Sequence, residues 1–417
     1  MAQRKKIIII GGGFAGLTLA KKLGNSSFDV LLIDKQNHHM FQPLFYQVAS
    51  ARLEPSNISF PFRKIFQRTC NVEFRLTTVT RIVPEQQTVE TPIGSFHYDI
   101  LVVATGCRTN YFGNELISTH ALSMKTTQEA IEIRNRVLLN FENIISSQGN
   151  DLTPYMNIVI VGAGPTGVEL AGSFAEMKNS ILPKDYPRTD FSRLTVWLLE
   201  GSKNTLNSMS EESKKASRKY LEELGVTVRT ETYVKSYDGE QVTLNSGETI
   251  PTKIVIWSAG VIANGIEGMP ASAIVRGNRY KTNRQNLVAG TANIYALGDI
   301  ACMETPLYPN GHPQLANVAI NQAKLLAENL KAMESGRALK DYEYKDLGSM
   351  ATIGKHKAVV DLPFIKFQGR LAWFVWMFLH LMLILSARNK LMIFINWAWS
   401  YLTKDTSLRL ILKQEKK

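Results

Sequence analysis

The stretch IVIVGAGPTGVELAG occupies residues 158–172 and decides the fold. Four consecutive apolar residues that favour β-structure lead into a Gly-x-Gly-x-x-Gly turn, and a helix-like run follows from Val168. Gly162 permits a tight turn after the strand, Gly164 lets the backbone approach a ligand closely, and Gly167 lets the helix pack on the strand. The pattern is typical of a strand, turn and helix that bind a dinucleotide pyrophosphate at the helix N-terminus.

The same pattern occurs near the start of the chain, where residues 7–16 read IIIIGGGFAG. In this N-terminal stretch, the residues predicted to bind a dinucleotide are Gly11, Gly13, Phe14, Ala15 and Gly16. Basic residues before the isoleucines imitate a secretory signal peptide, but the glycines fit a buried parallel strand and its turn better. We call residues 7–16 the first cradle and residues 158–167 the second cradle.

Each cradle is followed by another apolar strand that ends in an acidic residue. The strand FDVLLIDKQ ends in Asp34, and LTVWLLEGS ends in Glu200 after the insertion NSILPKDYPRTDF. A carboxylate at this place accepts hydrogen bonds from ribose hydroxyls and repels a 2′-phosphate. The second cradle is therefore expected to prefer NADH to NADPH, although Lys203 nearby weakens that preference slightly. Two cradles predict one bound flavin dinucleotide and one nicotinamide dinucleotide that reduces it.

Two further segments fit the flavin interpretation. YDILVVATGC ends a strand at Ala104, Thr105 and Gly106, where a chain crosses between domains, and TANIYALGDIA places Asp299 after an apolar strand and a glycine. The Asp299 carboxylate is positioned to accept hydrogen bonds from a ribityl chain. The alternative is that Asp299 caps a helix beginning at IACME.

Composition narrows the class of protein. The 417 residues are 45% hydrophobic and 20% charged, with a formal net charge of +12, which favours an anionic partner such as a nucleotide, a nucleic acid or an acidic lipid. No zinc spacing or aromatic RNA motif supports a nucleic acid. The scattered Cys70, Cys107 and Cys302 form no metal or redox pair, so we expect no metal and a reducing compartment.

Together the motifs resemble a known family. The segments that carry the resemblance, in chain order, are IIIIGGGFAGL, HHMFQPLFYQVAS, VVATGC, IVIVGAGPTGVELAG, IVIWSAGV, YALGDIA and the apolar C-terminus. In this order and spacing the chain resembles the type II NADH dehydrogenases, which are membrane-peripheral NADH:quinone oxidoreductases. The resemblance covers nearly the whole chain, and FQPLFYQVA, PTGVELAG and the C-terminus are its more specific elements.

The resemblance implies an α/β fold with two Rossmann-like dinucleotide-binding domains and C-terminal membrane-anchoring helices. The implied boundaries are 1–112 and 284–345 for an FAD domain, 113–283 for a linker helix and inserted NADH domain, and 346–417 for a hairpin and amphipathic membrane-binding helices. The implied reaction passes two electrons from NADH through non-covalent FAD to a membrane quinone without proton pumping. The implied enzyme is a homodimer, bound peripherally to the cytoplasmic face of the inner (cell) membrane.

Several residue roles come from the resemblance alone. Additional FAD contacts are Lys35, Val79 and Ala316; an additional NADH contact is Gly260; quinone contacts are Gln42, Pro43, Tyr46, Asn317 and Asn321. The family usually has Gln at the last two positions, so the shorter amides change the reach towards a quinone.

Glu169 is the residue that the resemblance places near the contact of flavin and nicotinamide, where it assists proton or charge movement. Its alternative role is a carboxylate that stabilises the first turn of a helix. His38 and His39 are expected to be solvated loop side chains rather than proton donors.

The C-terminus is expected to bind a membrane surface. Residues 371–386, LAWFVWMFLHLMLILS, form a stretch shorter than the ~20 apolar residues that a spanning helix needs. From 389 to 404 the polar residues Asn389, Lys390, Asn396, Ser400, Thr403 and Lys404 share one helical face, as in an interfacial amphipathic helix. Nine basic and two acidic residues from Phe364 onward favour anionic lipids. The alternatives are a buried helix pair in the core or at a dimer interface, and a true span.

Other functions fit part of the pattern. A disulfide reductase needs a redox cysteine pair, which the sequence lacks. A sulfide:quinone oxidoreductase shares the fold and tail, but needs cysteines beside the flavin and lacks a complete NADH cradle; Cys107 and Cys302 near flavin motifs keep this alternative open. The remaining alternative is a flavoprotein scaffold with vestigial activity.

Overall fold

A computed structural model describes residues 4–146, 151–403 and 408–412 of the chain. The helices there are α1 Phe14–Leu23, α2 Phe45–Ala49, α3 Phe62–Phe66, α4 Glu115–His120, α5 Thr127–Ser146, α6 Pro165–Ser180, α7 Leu182–Asp185, α8 Glu211–Glu223, α9 Ala316–Glu334, α10 Arg370–Leu383 and α11 Ala387–Thr403. The strands of the first half are β1 Lys6–Ile10, β2 Asp29–Asp34, β3 His38–Met40, β4 Ser59–Pro61, β5 Val72–Leu76, β6 Arg81–Val83, β7 Thr88–Thr91, β8 Gly94–His97, β9 Ile100–Val103, β10 Cys107–Thr109, β11 Asn157–Val161 and β12 Thr195–Leu199. The remaining strands are β13 Val226–Arg229, β14 Val234–Tyr237, β15 Gln241–Leu244, β16 Thr249–Pro251, β17 Ile254–Trp257, β18 Val261–Ala263, β19 Ile274–Val275, β20 Arg279–Thr282, β21 Ile294–Ala296, β22 Ala301–Met303, β23 Ser349–Ile353, β24 Lys357–Asp361 and β25 Lys366–Gly369.

One compact unit comprises Met1–Met40, Phe60–Arg108 and Val261–Asp346. It contains a parallel five-stranded sheet in the order β21-β9-β1-β2-β5. In β1, Ile7 and Ile9 lie in a core shared with α1 and α9, whereas Ile8 and Ile10 lie in the core on the other face. Because both faces of β1 are covered, the strand is a continuous run of isoleucine and not an alternating pattern.

The other compact unit comprises Phe41–Ser59, Thr109–Gly260 and Leu347–Lys417. Its parallel sheet has the order β13-β12-β11-β17, and two antiparallel three-stranded sheets, β14-β15-β16 and β23-β24-β25, accompany it. Gly172 of α6 packs closely on the β23–β24 turn, because a Cβ atom there would stand 2.7 Å from the backbone nitrogen of Gly354. The hairpin predicted near residue 350 is confirmed as β23 and β24.

The compact units do not follow the predicted domain boundaries. Residues 261–283 fall in the unit with the first cradle, while 41–59 and 347–417 fall in the unit with the second. The boundaries at 112, 113–283, 284–345 and 346–417 stay a prediction.

The predicted start of the second cradle's helix at Val168 is wrong, since α6 begins at Pro165. Proline is favoured at the first helical position because its missing N–H has no partner there.

Helices α10 and α11 form most of the described part of the tail. No helix among the described residues is long and apolar enough to cross a membrane. Their large exposed apolar side chains are Leu371, Phe374, Phe378, Leu379, Met382, Leu383, Leu391, Met392, Phe394, Ile395, Trp399 and Leu402. Asn389, one of the residues predicted to share a polar face, is not exposed to solvent. Asn389 is buried, because its amide donates to the carbonyl oxygens of Ser56 and Asn57 at 3.2 and 2.9 Å. Lys404, also predicted on that face, lies outside the described residues.

Candidate functional site

The first cradle is a tight turn between β1 and α1. Gly11 has φ +99°, and a Cβ atom on it would stand 2.4 Å from the carbonyl oxygen of Ala104 at the end of β9. A Cβ atom on Gly16 would stand 1.8 Å from the oxygen of Gly11, so α1 packs directly on the turn. Gly13 caps α1, and a Cβ atom on it would meet no protein atom within 4 Å. The open space at Gly13 leaves the helix N-terminus free for a phosphate group.

Asp34 holds the first cradle in shape. Its Oδ2 accepts a hydrogen bond from the backbone N–H of Gly12 at 2.6 Å, and its Oδ1 accepts one from Gln36 at 2.7 Å. Burial raises the pKa of Asp34, while the two backbone N–H groups oppose that rise. Each carboxylate oxygen keeps further lone pairs for a ligand hydroxyl.

A cavity of about 230 Å³ adjoins Asp34 and brings together five of the predicted FAD contacts: Gly11, Asp34, Lys35, Val79 and Thr105. Arg108 also lines it, which adds a second basic side chain to Lys35. The combination of open helix terminus, carboxylate and basic cavity fits a dinucleotide.

His39 contacts the first cradle, a role that the sequence analysis did not assign to it. It lies in β3 and is buried, not solvated as predicted, and its Nδ1 contacts the carbonyl oxygen of Gly12 at 3.0 Å. Burial lowers the pKa of His39 to about 4, so the ring is neutral at pH 7 and Nδ1 must carry the donated proton. The imidazole also meets the Phe14 ring edge to face, with centroids 5.2 Å apart. Its neighbour His38 is half-buried. The sequence signal that could have indicated this burial is the position of His39 in a short strand, where alternate residues face the core.

The strand end at Ala104, Thr105 and Gly106 is fixed by Asn264. Asn264 donates from its side chain to the Thr105 carbonyl at 3.0 Å, and the Thr105 hydroxyl donates to the Asn264 carbonyl at 2.8 Å. Asn264 follows the segment IVIWSAGV and carried no separate signal in the sequence. These two hydrogen bonds hold the neighbouring Gly106, at φ +66°, in a position where its backbone is accessible.

Asp299 lies in a single 3-10 turn, Gly298–Ile300, before β22. Its Oδ2 accepts a hydrogen bond from the Cys107 thiol at 2.9 Å. The alternative that Asp299 caps a helix at IACME is wrong, because residues 301–303 form a strand that pairs with β20.

Helix α9 carries Ala316 and the two predicted amides in its first two turns. The Oδ1 of Asn317 is buried without a hydrogen-bond partner among the described residues. Asn321 is half-buried. The next residue, Gln322, is buried and accepts the backbone N–H of Gly298 at 2.8 Å, so this longer amide supports the turn before Asp299.

The second cradle reproduces the first. Gly162 has φ +100°, and a Cβ atom on Gly167 would stand 1.8 Å from the Gly162 oxygen, as at Gly16. Glu200 accepts the backbone N–H of Ala163 at 2.6 Å through Oε2 and that of Ser202 at 2.8 Å through Oε1. A Cβ atom on Gly164 would meet nothing within 4 Å, so this helix N-terminus is also open to a ligand.

Gly260 has φ +75° and follows β17 in the same unit. A Cβ atom on Gly260 would stand 2.6 Å from the exposed ring of Phe112. The left-handed backbone conformation and the close ring both explain why this position has a glycine.

Glu169 is buried in α6, and its position corrects the helix-terminus interpretation. Because α6 begins at Pro165, Glu169 is the fifth helical residue and lies beyond the first turn, where a carboxylate would counter the helix dipole. Burial raises the pKa of Glu169 to about 8, and hydrogen bonds from the backbone and side chain of Thr352 oppose that rise. A carboxyl group with this pKa holds its proton at neutral pH.

The segment FQPLFYQVA begins with a 3-10 turn at Gln42–Leu44 and continues as α2. Gln42 is exposed and Pro43 half-buried. Tyr46 is buried, and its hydroxyl lies 2.8 Å from the Thr352 hydroxyl. Gln47 and Thr352, which join Tyr46 to its surroundings, were not predicted as site residues.

The duplicated cradles define a pyridine-nucleotide-dependent oxidoreductase. The family Pyridine nucleotide-disulphide oxidoreductase matches residues 5–323, and the NDH2 C-terminal domain matches residues 347–404. A type II NADH:quinone oxidoreductase, Ndh of Mycobacterium tuberculosis, is 32% identical over 417 residues, covering 96% of this chain and 89% of the relative. The chain belongs to the type II NADH:quinone oxidoreductase family.

Solved structures agree with the fold. NDH2 from Plasmodium falciparum in complex with NADH has a TM-score of 0.90 at 20% identity, covering 99% of this chain and all of that chain. The sulfide:quinone oxidoreductase of Aquifex aeolicus has a TM-score of 0.73 at 20% identity over 96% of both chains. The fold is therefore common to both activities, and family membership separates them in favour of NADH oxidation.

Proposed function

We propose that this chain oxidises NADH and passes two electrons through one non-covalent FAD to a membrane quinone without pumping protons. The observation that carries the proposal is the duplicated cradle, in which Asp34 and Glu200 hold equivalent turns beside two open helix N-termini. When bound, FAD supplies the redox chemistry, while the protein binds and orients the partners. Family membership favours this function over sulfide oxidation and over a vestigial scaffold.

For the flavin, we propose that Gly11, Gly13, Phe14, Ala15, Gly16 and Ala316 surround the pyrophosphate, that Asp34, Lys35 and Val79 hold the adenosine end, and that Ala104, Thr105, Gly106 and Asp299 lie along the remainder. The cavity beside Asp34 supports the second assignment, because it is polar at the carboxylate and basic at Lys35. The Cys107 thiol uses one oxygen of Asp299 and leaves the other for a hydroxyl.

For the nicotinamide substrate, we propose that Gly162, Gly164, Gly167 and Gly260 form the backbone of the site and that Glu200 selects NADH. Two backbone N–H groups fix the Glu200 carboxylate, so it cannot turn away from a 2′-phosphate without losing both hydrogen bonds. We propose that Glu169 holds and releases a proton during turnover, because it is buried and keeps its proton at neutral pH.

For the quinone, we propose contacts with Gln42, Pro43, Tyr46, Asn317 and Asn321. The exposed Gln42 supports this assignment, since its amide offers polar atoms to a ligand.

For location, we propose peripheral binding to the cytoplasmic face of the cell membrane through α10 and α11, and a homodimer. The exposed apolar side chains of both helices support lipid contact, and the excess of basic residues in the tail supports anionic lipids.

Steady-state oxidation of NADH by the purified holoenzyme, with and without a soluble quinone, tests the function. We expect rapid turnover that requires the quinone and is not supported by sulfide as donor. Turnover with sulfide would favour the alternative oxidoreductase, and absence of turnover with either donor would favour the scaffold.

A further inference from the structure

A buried line of side chains joins the tail helix α11 to Glu169. The indole Nε1 of Trp397 lies 2.7 Å from Gln47 Oε1, and Gln47 Nε2 lies 3.0 Å from the Tyr46 hydroxyl. The Tyr46 hydroxyl lies 2.8 Å from that of Thr352. The backbone N–H of Thr352 donates to Glu169, and the Thr352 side chain also lowers the pKa of the Glu169 carboxyl. The backbone bond is long, at 3.4 Å. All five residues are at most 8% exposed.

The direction of this line follows from hydrogen-bond chemistry. An indole nitrogen only donates, so the Gln47 atom facing Trp397 must be the amide oxygen. The amide nitrogen then faces Tyr46 and donates to it, because an amide N–H group cannot accept. The phenol oxygen accepts this N–H group, so we assign the phenol proton to Thr352 and the Thr352 hydroxyl proton to the side of Glu169.

Every hydrogen bond in the line therefore points towards Glu169. A carboxylate that accepts hydrogen bonds is stabilised relative to the neutral acid. If the donor at Trp397 were missing, the Gln47 amide could turn and accept from Tyr46. The line would then reverse and favour Glu169 in its protonated form.

We propose that Trp397 is a positioning residue, whose indole N–H fixes the direction of the Gln47–Tyr46–Thr352 line and so sets the proton affinity of Glu169. The tail helix is thereby coupled to the acid through three intervening side chains. The proposal rests on the proposed function only in assigning Glu169 a proton to hold during turnover.

Other ionisable groups lie beside the line. Tyr46 comes from α2, and burial raises its pKa above the usual range. Arg52 follows α2 and lowers the pKa of Tyr46. It also forms an ion pair with Glu176, which lies two helical turns after Glu169 in α6. The backbone N–H of Lys355, after β23, donates to Glu176 at 2.8 Å. Substitution of Trp397 removes none of these charges.

A neighbouring tryptophan provides a matched control. Trp376 of α10 is 1% exposed, and its ring centroid lies 5.5 Å from that of Trp397. Its Nε1 is buried without a hydrogen-bond partner among the described residues. Trp376→Phe therefore makes the same change of side chain at a ring that contacts Trp397, without removing a donor to the line.

The test is an infrared titration of the full-length holoenzyme, in which the carbonyl stretch of the protonated Glu169 carboxyl is followed against pH and assigned with Glu169→Gln. We expect Thr352→Val to raise the midpoint by about one to two pH units, the effect of one hydrogen bond to a charged group. Thr352→Ser retains the hydroxyl and should keep the wild-type midpoint.

At the far end, Trp397→Phe should raise the midpoint by at least about half a pH unit, a fraction of one hydrogen bond, whereas Trp376→Phe should leave it in place. Gln47→Met removes the amide and should raise the midpoint as Trp397→Phe does. This second variant keeps the test available if Trp397→Phe loses FAD. Equal midpoints for Trp397→Phe and Trp376→Phe, or a shift in Thr352→Val alone, would overturn the proposal. The titration needs no turnover, so a failure of the proposed function would show separately as absent quinone reduction.

Discussion

Glu200 accepts the backbone N–H of Ala163 at 2.6 Å, and the relationship is repeated at the same distance between Asp34 and Gly12. In each pair the N–H belongs to the residue after the first glycine of the cradle, and the acid ends or directly follows the next strand. The acid is thus part of the turn as well as a partner for ribose. Its removal should affect one dinucleotide and not the other.

Replacing Glu200 with Gln should change donor choice. Loss of the negative charge removes the repulsion of a 2′-phosphate, so we expect kcat/KM for NADPH to rise about tenfold, equivalent to ~1.4 kcal/mol. The measurement is steady-state kinetics with both donors. Asp34→Asn is the matched control and should lower FAD content without altering the preference. Equal use of NADH and NADPH by the wild type would refute the role of Glu200.

Two glycines of the second cradle should respond differently to alanine. A Cβ atom on Gly167 would stand 1.8 Å from the Gly162 oxygen, so Gly167→Ala should destabilise the unit by about 2 kcal/mol or more. A Cβ atom on Gly164 meets no protein atom, so Gly164→Ala should change stability by less than about 0.5 kcal/mol. Because its methyl group enters the ligand space, KM for NADH should rise roughly ten- to a hundredfold. Unchanged NADH affinity in Gly164→Ala would place the pyrophosphate elsewhere.

His39 should make the protein sensitive to acid. Its pKa is lowered from 6.5 to about 4 by burial, so the unfolded chain binds the proton more readily than the folded chain between these values. Stability is complete above pH 6.5 and is lost as pH falls towards 4, by up to about 3 kcal/mol from this group.

Unfolding in urea at pH 7 and pH 4.5 measures this loss. The variant His39→Gln should show a smaller difference between the two pH values than the wild type. Burial also lowers the pKa of His380 to about 4, so part of the dependence should remain in the variant. An identical pH dependence in both proteins would argue against a buried neutral His39.

The exposed apolar face of α11 should determine membrane binding. Leu391 and Phe394 are 58% and 47% exposed, and the double change Leu391→Glu, Phe394→Glu removes two large apolar contacts with lipid. We expect binding to phosphatidylcholine–phosphatidylglycerol vesicles to weaken by at least about tenfold. Leu116→Glu with Ile145→Glu changes two exposed side chains outside the tail, at 51% and 47% exposure, and should bind like the wild type. Equal sedimentation of both double variants with vesicles would contradict lipid contact through α11.

The parts predictable from sequence are those whose residues are close together in the chain. The glycines of each cradle, the apolar strands and the terminal acids repeat at short spacing, because a turn and its helix are local structures. Pro165 also carried a local signal, which a start at Val168 overlooked. The alternation of Ile7–Ile10 between two cores follows from the strand period once the sheet is known.

The buried line to Glu169 has no such signal. Tyr46 and Thr352 are separated by 306 positions, and Gln47 and Trp397 by 350, so only the tertiary structure brings them together. His39 was misplaced for a related reason, since polar residues are usually exposed and this one is buried with a hydrogen bond to a backbone carbonyl. Asn389 is buried in the same way.

The central claim is that NADH delivers two electrons through bound FAD to a quinone, and one anaerobic titration tests it directly. One equivalent of NADH added to the purified holoenzyme should bleach the oxidised flavin spectrum, and one equivalent of a soluble quinone should then restore it. Sulfide in place of NADH should leave the spectrum unchanged. A flavin that NADH does not bleach, or that stays reduced after the quinone is added, would contradict the account.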